Sequence, residues 1–213
     1  MLTLPEKTPP RTDYFWTRQE AAKRIRAARS RPETRHLARL ILVGLYTGTR
    51  PGAILRLRWL PSTDAGWFDL GTGVLHRRGS QTRSSKKKQP PARIHERLLP
   101  HLRCWRKTDE ARGIVHVIHY DGQPVKRVKR SWETVRRMAG AERRDSPHVL
   151  RHSSATMFMS WGLDVAEIAG FLGMSVQTLL DVYGHHHPAF QENIARSSPK
   201  KSPRIGVNRT GTK

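Results

Sequence analysis

The sequence predicts a mainly helical α+β domain that carries one small three-stranded antiparallel sheet. Three observations lead there. Apolar residues recur at helical spacing up to about residue 57 and again from about residue 96. Between those stretches the period shortens to that of strands, and Gly71-Thr-Gly73 punctuates it. Basic residues run through the whole chain, with 40 Lys and Arg against 17 Asp and Glu and a formal net charge of +23 over 213 residues.

The elements follow in order. Thr17-Arg-Gln-Glu20 has the form of a capping box and predicts a helix to about Arg29, broken by Pro32. A second helix is expected over about Thr34–Thr47, where Leu37, Leu40, Ile41 and Gly44 share one stripe. Gly48 suits a left-handed helix end, and Pro51 suits the first turn of a further helix to about Leu57. Trp67–Leu70 and Val74–Arg77 read as a hairpin, and Ala92–His95 as a third strand beyond the polar, basic loop Gly79–Gln89. Helices are expected at about Glu96–Lys107 and Val128–Ala139. Between them Ile114–Tyr120 reads as a short strand ended by the Asp121-Gly122 turn. From His148 to about Ala195 the pattern is one of short helices. The first of these is expected to bury Leu150, Ser154, Met157, Phe158 and Trp161. One domain is expected over residues 17–196, preceded by a flexible segment 1–16 and followed by a disordered basic tail 197–213 rich in Ser, Pro, Lys, Arg and Gly.

Composition narrows the function. Such a cationic excess favours a polyanionic partner, most often nucleic acid. Cys104 is the single cysteine, which rules out an intrachain disulfide framework and fits a reducing compartment. No apolar run approaches the roughly 20 residues that span a bilayer, and residues 1–16 lack the apolar centre of a signal peptide. A cytoplasmic protein without a membrane partner is expected.

The stretch from His148 to Tyr183 is the most informative. His148-Val-Leu-Arg151 puts a His and an Arg three residues apart on one side of a helix. Leu172-Gly173-Met174 follows, and Tyr183 stands nine residues after Met174. Farther upstream, Thr47-Gly-Thr-Arg50 ends in an Arg whose backbone Pro51 biases away from the helical region, so that it sits at a corner between two helices. Guanidinium groups neutralise a phosphodiester with bidentate geometry and stay charged at any working pH. A tyrosine beside them can attack phosphorus through its phenolic oxygen. The three consecutive residues His185, His186 and His187 have no Cys or acidic partners at ligand spacing, and no metal is assigned.

In order and spacing, these elements resemble the catalytic domain of the tyrosine recombinases, the phage-integrase family, over about Thr17 to Ala195. The resemblance implies a helical DNA breaking-and-rejoining domain with a small sheet. It implies a site-specific recombinase or integrase that passes through a covalent 3′-phosphotyrosyl intermediate and needs no nucleotide cofactor. Arg50 and Arg151 would clamp the phosphate, His148 would assist, and Tyr183 would be the nucleophile. The family's general acid is a Lys in the loop between the second and third strands. Lys86, Lys87 and Lys88 all stand there, with Lys86 nearest the family's spacing. Arg77, Arg78, Lys87 and Lys88 are expected to contact the DNA backbone. The implied partners are double-stranded DNA and further copies of the chain, as a tetramer on DNA.

Two departures stand out. Met174 occupies the family's His or Trp position, and a thioether gives no strong hydrogen bond to phosphate. Only about 16 residues precede Thr17, where such recombinases carry a helical core-binding domain; a fragment, a truncated product or a minimal member is expected. The alternatives are a type IB topoisomerase and a non-catalytic DNA-binding descendant of an integrase.

Overall fold

A computed structural model describes residues 14–82, 89–141 and 145–189. Its helices are α1 (Arg18–Arg29), α2 (Arg35–Thr47), α3 (Pro51–Ile54), α4 (Leu99–Glu110), α5 (Lys129–Met138), α6 (Val149–Ser160), α7 (Val165–Leu172) and α8 (Val176–Tyr183). Its strands are β1 (Trp67–Asp69), β2 (Val74–His76), β3 (Ala92–Arg93), β4 (His119–Tyr120) and β5 (Gln123–Pro124). Strands β1, β2 and β3 form an antiparallel sheet in that order, with Phe68 opposite Leu75 and Leu75 opposite Ala92. Residues 1–13 of the expected segment 1–16, residues 190–196 of the expected domain and the expected tail 197–213 lie outside the described residues.

Local chemistry sets most boundaries. The capping box is present: Thr17 accepts from the backbone of Glu20, and the Glu20 carboxylate accepts from the backbone of Thr17. Helix α2 ends at Gly48, whose φ of 58° is left-handed. Helix α4 begins three residues later than the sequence suggests, because Pro100 fits only its first turn. The strand expected over Ile114–Tyr120 shrinks to β4, which pairs with an unexpected β5 across Asp121-Gly122, both at positive φ. Its earlier part runs beside Leu57–Trp59, with Trp59 donating to the Val115 carbonyl and Val117 to that of Leu57.

Two apolar cores meet on α6. Leu37, Leu40, Ile41, Leu57, Phe68, Leu75 and Ile118 build the larger, with Val149 and Leu150 from the start of α6. Ala155, Phe158 and Met159 from the rest of α6 join Ile168, Leu172, Leu179 and Tyr183 in the smaller. The expected buried face of α6 is therefore too narrow. Trp161, placed on it by its spacing, is 43% exposed at the end of the helix. A Cβ on Gly44 would meet Leu150 Cδ1 at 2.7 Å, so α2 and α6 touch where only glycine fits.

Two buried carboxylates tie the elements together. Asp109 on α4 takes both ends of the Arg39 guanidinium (2.5 and 2.9 Å), the Trp59 indole N–H (2.9 Å) and the His119 Nε2 (3.1 Å). Asp145 accepts from the indoles of Trp16 and Trp132, 2.8 Å each, and pairs with Arg24 at 3.3 Å. Trp16 belongs to the domain and not to the flexible segment the sequence suggested. It is 5% exposed, stacks on Trp132, and its backbone N–H donates to Ser153 on α6.

Burial alone would raise the pKa of Asp109, but the hydrogen bonds from His119, Arg39 and Trp59 and the Arg39 charge bring it down to about 2. A carboxylate with a folded pKa below its unfolded value of about 3.9 stabilises the fold above that value. The contribution is then lost as pH falls through the folded pKa. Denaturant midpoints are therefore expected to drop between about pH 4 and pH 2, and Asp109→Asn to flatten that drop. At pH 7 Asp109→Ala is expected to cost about 3–5 kcal/mol, since it strands Arg39 without its partner.

Candidate active site

Four elements converge on Tyr183. At the end of α2, the Thr47 hydroxyl donates to the Val43 carbonyl and accepts from the Thr49 hydroxyl at 2.8 Å, and the left-handed Gly48 turns the chain. A Cβ on Gly48 would collide with Leu172 of α7, so this turn packs directly against the helix that leads to the tyrosine. Arg50 follows in extended conformation (φ −60°, ψ 137°), with Pro51 opening α3, as the proline predicts.

Helix α6 brings the second arginine. Arg151 is half-buried and donates to the Gly48 carbonyl at 2.8 Å, which latches α6 to the turn before Arg50. Its pKa falls to about 10, first through burial and then through the charge of Arg50. The group remains cationic at neutral pH, so two guanidinium charges stand close enough to oppose each other. His148 stands at the N-terminal end of α6, with no side-chain bond to the helix backbone, and is exposed.

Tyr183 is the last residue of α8 and is 4% exposed. Helix α7 ends at the left-handed Gly173, where Met174 donates to the Ala169 carbonyl (3.0 Å) and Gly173 to that of Gly170 (3.2 Å). Ser175 then caps α8 by accepting from Thr178. Met174 is half-buried and packs against the smaller core. The Tyr183 hydroxyl lies 2.8 Å from Nδ1 of His152, the residue after Arg151. Burial raises the Tyr183 pKa against the opposing pull of Arg151. Burial, and then the charges of His148 and Arg151, lowers that of His152.

One sequence assignment needs correcting. Arg77 does not present its charge to a DNA backbone. It is 5% exposed, and its donors are spent inside the protein. Nε donates to the Thr49 hydroxyl (3.0 Å), NH2 to the Thr47 carbonyl (2.7 Å), and NH1 to the carbonyls of Phe171 (2.6 Å) and Pro90 (3.0 Å). Burial, then Arg151 and Arg50, lowers its pKa to about 10. Arg78, the next residue, is half-exposed and donates to the Thr82 carbonyl at 3.1 Å. Lys86, Lys87 and Lys88 lie outside the described residues. The ends of their loop, Thr82 and Gln89, line one depression with Arg56, Arg77 and Arg78.

His152 was missed in the sequence. Its only signal was its place four residues after His148 and beside Arg151, which is slight in a chain with eleven His. The role of Asp145 beneath this helix had no local signal, because its partners Trp16 and Arg24 lie more than 120 positions away.

The model of the phage integrase family matches residues 15–189. The chain belongs to that family. Tyrosine recombinase XerA of Thermococcus kodakarensis is 26% identical over 182 residues, covering 84% of this chain and 60% of the relative. The chain thus spans three fifths of that recombinase's length. Among solved structures, a XerA recombinase superposes with a TM-score of 0.61 at 22% identity, covering 92% of this chain and 68% of the other. The integrase of transposon Tn1549 in complex with transposon right end DNA gives 0.63 at 15% identity, covering 90% and 66%. The catalytic domain of bacteriophage HP1 integrase gives 0.55 at 18% identity, covering 89% of this chain and 97% of that domain. The fold is that of a tyrosine-recombinase catalytic domain. Among the described residues, no single helix is long and apolar enough to cross a membrane.

The buried fork of Arg77 predicts a stability phenotype. Arg77→Lys keeps the charge but cannot satisfy acceptors on three separate segments, and each buried acceptor left bare costs about 1–3 kcal/mol. A loss of about 3 kcal/mol or more is expected in chemical denaturation, against about 0.5 kcal/mol or less for Arg78→Lys.

Proposed function

We propose that this chain cleaves and rejoins double-stranded DNA as a site-specific recombinase or integrase, through a covalent 3′-phosphotyrosyl link at Tyr183. The observation that carries the reading is the pairing of two mutually opposed guanidinium groups, Arg50 and Arg151, beside a buried tyrosine hydroxyl. Such a cationic pair attracts an anion. A phosphodiester oxygen is a fitting occupant, since its charge grows as the pentacoordinate state forms.

In this reading Arg50 and Arg151 hold the non-bridging oxygens and His148, exposed at the head of α6, adds a bond to one of them. Tyr183 Oη attacks phosphorus and the 5′-oxygen leaves with a proton. Lys86 is the proposed proton donor. Lys87, Lys88 and Arg78 are proposed to hold the flanking backbone. The bond to tyrosine keeps the energy of the phosphodiester, so rejoining needs no nucleotide. The integrase relatives solved with DNA support duplex DNA as the partner. We propose further that copies of the chain assemble on DNA, as a tetramer, in the cytoplasm. Met174 supplies no strong donor, so one phosphate contact of the family is proposed to be absent or taken over by a neighbour such as His185.

Incubation with a pool of nicked suicide duplexes of randomised sequence, followed by denaturing electrophoresis, tests this. A covalent adduct mapping to Tyr183 is expected, and none from Tyr183→Phe, which keeps the ring and its packing. Arg50→Lys and Arg151→Lys should bind DNA nearly as well but cleave about 10²–10³-fold more slowly, the usual loss for one transition-state donor. An adduct at another residue would refute the nucleophile assignment. Recombinant junctions distinguish a recombinase from a topoisomerase.

Affinity for duplex DNA should fall steeply with salt, each neutralised phosphate adding about 0.9 to the slope of log affinity against log salt. A flat response in a filter-binding series would remove DNA as the partner.

A further inference from the structure

Tyr183 is held in a state that cannot attack phosphorus unaided. Its hydroxyl is enclosed, and enclosure raises the pKa of a phenol that is already about 10 in water. At neutral pH almost no phenolate is present, so the proton must leave during the reaction. The atom positioned to receive it is Nδ1 of His152 at 2.8 Å, within the reach required of a general base. His148, the histidine that motif spacing singles out, is exposed at the head of the same helix.

We propose that His152 is the catalytic base that takes the Tyr183 proton during strand cleavage and returns it during rejoining. The inference rests on the strand-transfer reading above. In the step, the Tyr183 Oη–H bond breaks, its proton passes to Nδ1, and the oxygen's electron pair forms the bond to phosphorus. The bond from phosphorus to the 5′-oxygen breaks, and that oxygen takes a proton from a separate acid. His152 ends as an imidazolium, with Nε2 already protonated. The reverse step consumes that proton, so the cycle is neutral overall.

The surroundings suit the role. Burial and the charges of His148 and Arg151 keep the ring neutral before substrate arrives, which leaves Nδ1 with a lone pair. They also make it a weak base in the resting protein. Proton transfer is then unfavourable until bond formation to phosphorus acidifies the phenolic oxygen. A phosphate between Arg50 and Arg151 also offsets the positive field that opposes a charged imidazole. The proton therefore leaves late, with the P–O bond, and Tyr183 stays unreactive without DNA.

The test compares single-turnover rates of adduct formation on the suicide duplexes. His152→Asn keeps a polar atom close to the position of Nδ1 and can hold the tyrosine, but it cannot accept a proton. A rate loss of about 10²-fold or more is expected, the usual contribution of a positioned base. The loss should persist on a 5′-bridging phosphorothiolate, whose sulfur leaves without a proton. It should shrink several-fold when residue 183 is 2,3-difluorotyrosine, a more acidic phenol. A wild-type rate in His152→Asn, rescue by the thiolate, or a deficit unmoved by fluorination would each overturn the assignment. The first would mean positioning alone, the second a role at the leaving group, and the third a structural loss. Independently of any variant, ¹⁵N spectra of the intact protein near neutral pH should show His152 neutral with its proton on Nε2; a ring protonated on Nδ1 would also overturn it. If the unaltered protein forms no adduct on any duplex, the strand-transfer reading fails and this inference with it.

Discussion

One buried guanidinium, that of Arg77, holds the site in shape. It reaches the end of α2 at Thr47 and, just past the Gly48 cap, Thr49; the end of α7 through Phe171; and the segment before β3 at Pro90. These are the three places from which the groups of the proposed site project. Arg50 stands three residues after Thr47, the basic loop closes at Gln89, and Tyr183 follows α7 through a tight Gly173 turn. No apolar contact could define the spacing of three segments as narrowly, because dispersion is undirected whereas a planar fork fixes each acceptor in angle and distance. The cost is a desolvated charge, offset only because its bonds to carbonyl and hydroxyl oxygens are made.

That cost is useful to the chemistry. The charges of Arg50 and Arg151 help to lower the pKa of Arg77, and that of Arg50 helps to lower Arg151; of Arg77 and Arg151, Arg77 is the more enclosed. A pre-set positive field is a poor arrangement for stability and, under the proposed function, a good one for an incoming phosphate. The acidic groups that stabilise the domain are kept elsewhere. Asp109 binds Arg39, His119 and Trp59 on the far side of α2, and Asp145 binds Arg24 and the two indoles at the base of α6. Among the described residues, Asp109 and Asp145 thus hold the scaffold, away from Arg50 and Arg151.

Much of this was legible in the sequence, for reasons that differ by residue. Gly48, Pro51 and the Thr17–Glu20 box act on their own neighbours, so their consequences could be read locally. The hairpin of β1 and β2 and the apolar stripe of α2 follow from period alone. Arg77 could not be read that way. In a chain with 40 basic residues its strand position gave no reason to bury it rather than Arg78, and its acceptors lie up to 94 residues away. Trp161 was misplaced because helical spacing cannot tell which turns of α6 outrun the core they pack on. His152 was overlooked because its meaning depends on α8 folding back 31 positions later.

The position of α6 explains why so many of these distant contacts end on one helix. It starts in the larger core with Val149 and Leu150 and finishes in the smaller with Phe158 and Met159. Few of its faces are free to vary, and a helix held on two sides moves as a rigid body or not at all. His148, Arg151 and His152 share its first turns, so their mutual geometry is fixed by one helical rise and not by three independent loops. Tyr183 arrives instead on a short helix flanked by Gly173 and Gly184, held by the smaller core and one hydrogen bond. The rigid half of the site carries the groups proposed to meet phosphate. Under the proposed strand transfer, the lighter half carries the group that would travel, since a nucleophile bonded to its substrate has to follow the strand it holds until rejoining releases it.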